Sequence, residues 1–76
     1  MFTIEHEFDA TIVTLMDEGE APLREDVNVS AFADQITIEQ WDPRTDRVNK
    51  ITLSPEQLRD LTAALNLPEG IYRSAP

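Results

Sequence analysis

Apolar and polar positions alternate along most of the first 53 residues, and the spacing then changes to that of a helix. Phe2, Ile4, His6, Phe8, Ala10, Ile12 and Met16 share one parity, while Thr3, Glu5, Glu7, Asp9 and Thr11 hold the other. Period-2 patterning of this length predicts one long strand or two successive strands, with Glu5, Glu7 and Asp9 toward solvent. From Ile12 to Leu15 the alternation fades, because Val13 and Leu15 are apolar too; both faces are expected to be covered there. Asp17, Glu18, Gly19 and Glu20 form a turn signal, and Pro22 keeps the next residues irregular. Residues 27–32 read as a strand, and Ala33, Asp34 and Gln35 as a tight connection. Residues 36–41 are a half-buried strand, residues 42–47 a turn-rich break, and residues 50–53 a short strand. The sum is a meander of antiparallel strands joined by short loops.

The helix is specified from both ends. Ser54 is a good N-cap, Pro55 suits the first helical position, and Gln57 at N3 completes a capping box. Leu58, Leu61, Ala64 and Leu65 make one apolar stripe, and Asn66 and Pro68 end the element. The predicted helix is therefore 55–65. A helix of about 11 residues is marginal alone in water, so it must pack on the sheet, on another copy of itself, or on both. Residues 1–67 are expected to form the domain and residues 68–76 a C-terminal tail anchored only by Ile71 and Tyr72. The fold class is α+β: a four-stranded antiparallel meander followed by one C-terminal helix.

Size changes this picture first. With 76 residues and no cysteine, the core is small and no disulfide supports it. Self-association is the most available further source of burial, so a homodimer is expected, with Leu58, Leu61 and Leu65 in the interface. No apolar run nears the roughly 20 residues of a membrane helix, and no basic region precedes an apolar one at the N-terminus. The expectation is a cytoplasmic chain with no membrane association.

Charge changes it again. The net charge is −9. Ten acidic residues within positions 1–40 face one basic residue, Arg24; the remainder holds five of each sign. A surface so acidic repels phosphate backbones and suits a basic protein partner, or serves solubility. Catalytic chemistry is sparse. His6 is the single histidine and lies on the apolar parity, so it reads as a structural residue. Ser30, Ser54 and Ser74 carry no nucleophile motif, and two glycines make no phosphate-cradling loop. The acidic residues 17–20 lack the ligand alternation of a calcium loop. No enzyme, cofactor or metal is expected.

Trp41 is the one large aromatic at a strand end, and Arg44, Arg47 and Lys50 follow closely. An aromatic platform beside a basic turn is how single strands are held without sequence reading. The bland alternative is a core tryptophan beside a charged loop.

Residues 36–65 resemble the transcriptional positive cofactor four family, above all its small bacterial members. The likeness is carried by Ile38, Glu39, Gln40, Trp41, Asp42 and Pro43, by the connector from Arg44 to Lys50, and by the run Ile51, Thr52, Leu53, Ser54, Pro55, Glu56, Gln57 and Leu58. It implies a curved antiparallel sheet, a dimer made largely through the helices, and single-stranded DNA binding on the sheet. Trp41 would stack on bases, and Arg44, Arg47 and Lys50 would contact phosphates. The chain departs from that family in its glycine-free connector and in Glu5, Glu7 and Asp9 on the first strand. Two roles follow: a non-catalytic module for single-stranded nucleic acid, or an acidic protein-interaction module on the same scaffold that has lost that site.

Overall fold

The computed structural model describes residues 1–66. The expected tail, residues 68–76, lies outside them. Five strands, β1 (Phe2–His6), β2 (Thr11–Leu15), β3 (Val27–Ala31), β4 (Ile36–Asp42) and β5 (Arg47–Leu53), precede one helix, α1 (Pro55–Leu65). The strands form one antiparallel sheet in the order β1-β2-β3-β4-β5. The α+β class and the meander are as expected, but the strand count is five, not four.

The extra strand comes from a hairpin hidden inside the first alternating run. The Glu7 N–H donates to the Ala10 carbonyl at 2.8 Å and closes a turn there. Phe2 pairs with Leu15 and Ile4 with Val13, so even positions of β1 share a face with odd positions of β2. The turn thus switches parity. Val13 and Leu15 join Phe2 and Ile4, and Ile12 moves to the opposite face beside Glu5. The fading alternation near Val13 marks this switch. Ile12 and Val13, on opposite faces, are both half-buried, and the cover ends at Leu15, which is exposed.

Register then assigns every strand residue to one of two faces. On the first face Ile4, Val13, Val29, Ile38 and Ile51 form one cross-strand row. Thr11, Ala31, Ile36 and Leu53 form the row on one side of it, and Phe2, Leu15, Val27, Gln40 and Asn49 the row on the other. On the second face lie Thr3, Glu5, Thr14, Asn28, Ser30, Glu39, Thr37, Lys50 and Thr52, with Ile12, Trp41 and Val48 as its apolar members. Rows of β-branched residues on the first face pack well on a pleated surface.

That apolar face is open. Among the described residues Ile36 is the one buried hydrophobic side chain. Phe2, Ile4, Leu15 and Ile51 retain 62, 50, 43 and 57% of their surface. At roughly 200 Å² per large apolar residue, these four expose on the order of 400 Å². Covering that area is worth about 10 kcal/mol at roughly 25 cal/mol per Å², as much as the whole stability of a small domain.

The helix does not supply the cover. α1 packs chiefly on β5, the edge strand, and none of its residues is buried. Its own start is nevertheless well made. The Gln57 N–H donates to the Ser54 hydroxyl at 3.1 Å, and the Ser54 N–H donates to the Gln57 side-chain oxygen at 3.0 Å. Local capping explains why the helix forms with so little tertiary support. No helix among the described residues is long and apolar enough to cross a membrane.

Candidate binding site around Trp41

Two loops meet at the end of β4. The first joins β4 to β5. The Asp42 carboxylate accepts from the Arg44 N–H at 3.0 Å, and the Thr45 N–H donates to the Asp42 carbonyl at 3.3 Å. Asp46 closes the loop at φ 57°, the left-handed region that aspartate tolerates better than most residues. The second loop, residues 16–26, joins β2 to β3. Asp17 organises it, accepting from the Gly19 N–H at 2.9 Å and from the Arg24 N–H at 2.8 Å. A Cβ at Gly19 would stand 3.2 Å from that Asp17 oxygen, so the turn leaves little room for a side chain. Gln40 then ties this loop to β4, its amide donating to the Glu25 carbonyl at 3.1 Å.

The result is an indole framed by polar groups. Trp41 lies on the polar face opposite Val48 and keeps 41% of its surface. On one side it borders a cleft of about 380 Å³ shared with Leu23, Arg24, Glu25, Asp42, Arg44 and Asn49. On the other it borders a cleft of about 320 Å³ shared with Glu25, Asp26, Asn28, Glu39 and Val48. The first cleft balances two guanidinium groups against two carboxylates. The second holds three carboxylates and no cation.

The expected basic cluster is divided. Arg44 flanks Trp41, but its Nε lies 3.4 Å from the Asp42 carboxylate. Lys50 shares the polar face with Trp41 and stands across the strands from Glu39. Arg47 pairs in register with Asp42 and falls on the apolar face, away from Trp41. Four residues close in sequence therefore occupy three environments. Arg24, far from Trp41 in the chain, lines the first cleft with it instead. No local signal announces this, because the Gln40–Glu25 bond that brings it there spans fifteen positions.

Electrostatics around the two loops follow from the backbone bonds. The Arg24 and Gly19 N–H groups hold the Asp17 carboxyl below its ordinary value of 3.8. The Arg44 N–H and guanidinium do the same for Asp42. Both are anionic at neutral pH, so the neighbourhood of Trp41 is acidic there.

The remaining candidates are dispersed. His6 sits at a corner of the apolar face, exposed, with Nδ1 3.3 Å from the Thr11 hydroxyl. Leu61 is exposed on α1, while Leu58 and Leu65 are half-buried. No group of three or more potential metal ligands occurs among the described residues. An electron-rich indole face beside carboxylates can take a cation, through the ring quadrupole and charge-assisted hydrogen bonds together.

A family model described as Domain of unknown function (DUF8831) matches residues 3–64. No curated protein and no solved structure matches the chain.

Proposed function

The chain belongs to the family described as Domain of unknown function (DUF8831), and we propose that it is a non-catalytic binding module whose Trp41 face receives a cationic side chain of a basic protein partner. The observation that carries this reading is the cleft of Glu25, Asp26 and Glu39 against the Trp41 ring. A lysine or arginine laid over the indole meets three carboxylates, of which Glu39 has Lys50 across the strands while Glu25 and Asp26 have no cation in that cleft. Net charge −9 adds long-range attraction for such a partner and repels phosphates within about a Debye length, roughly 10 Å at 0.1 M salt. A second reading, single-stranded nucleic acid, has one observation in its favour: Arg24 and Arg44 both border Trp41 on its other side.

Trp41 is the single tryptophan, so its fluorescence reports binding directly. The experiment titrates the protein with a deca-arginine peptide and, separately, with a deoxythymidine oligonucleotide, at low and moderate salt. The peptide should bind, weaken as salt rises, and lose about three- to thirtyfold in affinity with Trp41→Ala, the range expected for a cation–π contact. Glu39→Gln should weaken it too. Tighter binding of the oligonucleotide than of the peptide would replace this reading with the nucleic-acid one.

A further inference from the structure

We propose that two copies of this chain stack apolar sheet face on apolar sheet face, so that the solution species is a β-sandwich dimer. A leucine-helix dimer would place the contact on α1; this dimer uses the open face of the sheet instead. Three observations commit the face to a second copy.

The first is what the face lacks. In a chain of net charge −9, the strands put one carboxylate there, Asp42, and it stands beside Arg47 at a corner. Glu5 and Glu39 point to the opposite face. Two acidic chains can meet on such a surface with few like charges together, whereas a basic partner would find only Asp42 there, already beside Arg47.

The second is size. Five strands about 4.8 Å apart and five residues about 3.3 Å each give a face about 24 Å by about 17 Å. Its four most exposed apolar residues offer on the order of 400 Å², about half of the roughly 800 Å² that each partner contributes to a standard interface, and the half-buried valines add to it.

The third is shape. α1 leaves the sheet at β5, its main packing partner, so a second sheet can approach the far strands at the usual spacing of about 10 Å. Trp41 lies on the opposite face; the dimer and the cationic site therefore stand or fall separately.

The test begins with the molar mass of the purified protein by sedimentation equilibrium, followed by isotope-filtered NMR on a mixed labelled and unlabelled sample. The expected result is a dimer with intermolecular contacts from the methyl groups of Ile4, Val13 and Ile51. Ile51→Glu should raise the dissociation constant at least about a hundredfold, because a charge would be buried without a partner. Val48→Glu, adjacent in the same hairpin but on the other face, should change it less than about threefold. The NMR contacts decide the matter even where Ile51→Glu fails to fold. A folded monomer at 100 µM overturns the proposal, and so do intermolecular contacts confined to Leu58, Leu61 and Leu65.

Discussion

The two faces of the sheet share one backbone and differ in almost everything else. One is made of aliphatic rows running across all five strands; the other is threonine, serine, asparagine and paired charges around one tryptophan. In a monomer of ordinary size the first face would lie under helices. Here it lies largely open, and the two clefts gather at the end of β4: the first takes Gln40, Asp42 and Asn49 from the apolar face, the second Asn28, Glu39 and Val48 from the polar one. The difference teaches where each kind of energy is placed. Dehydration is concentrated on one side and charge recognition on the other, so a substitution reads out differently according to its parity alone.

Val29 and Asn28 are consecutive in the central strand and face opposite ways. If the apolar face is covered, Val29→Asp should cost about 3 kcal/mol or more, the scale of an unpaired buried charge. Asn28→Asp should cost under about 1 kcal/mol, through its cross-strand neighbour Glu39. Urea titration of both variants measures the contrast, and equal losses would abolish the distinction between the faces. A smaller effect sharpens the role of the loop that carries Asp42 and Arg44 past the sheet edge. Asp46→Gly removes the Cβ from a left-handed position and should raise stability by about 0.5 kcal/mol, seen as a higher thermal midpoint. Loss of stability there would mean that the Asp46 side chain holds the turn.

The smallest effect concerns protons. Asp17 and Asp42 have folded values below 3.8, so the unfolded chain takes up protons first as pH falls. Their contribution is therefore complete above about pH 4 and is lost as pH drops through the folded values. Both side chains are half-buried but still reach solvent, which keeps the contribution modest. Asp17→Asn should flatten the acid limb of the stability curve below pH 4 and leave pH 7 binding by Trp41 unchanged. An unaltered acid limb would show that the Gly19 and Arg24 bonds do not hold this loop.

Much of this architecture is legible in the residues. The helix limits follow from Ser54, Pro55, Gln57 and Asn66, because capping is local chemistry. Strands β3 and β4 follow from alternation between turn signals; of β5 the alternation gives residues 50–53, and Arg47, Val48 and Asn49 extend it into what reads as a break. The first hairpin does not, because Phe8 and Ala10 continue the apolar parity through the turn and hide it. The site is harder still. Trp41 and Arg44 end side by side because the turn joins them. The face of Arg47 depends on how many residues the loop inserts, and a change of one would have moved it beside Trp41. Arg24 arrives through a hydrogen bond to a distant strand, which no window of sequence contains.

The order β1-β2-β3-β4-β5 also governs how the sheet comes apart. Every strand leans only on its neighbours in the chain, and nothing joins β1 to β5. The sheet behaves as a short linear ladder, close to the nearest-neighbour systems in which local opening propagates from an end. Fraying begins at β1 or at β5, and each lost strand exposes the next as a new edge. The amide protons of β3, two strands from either border, are the last to meet solvent.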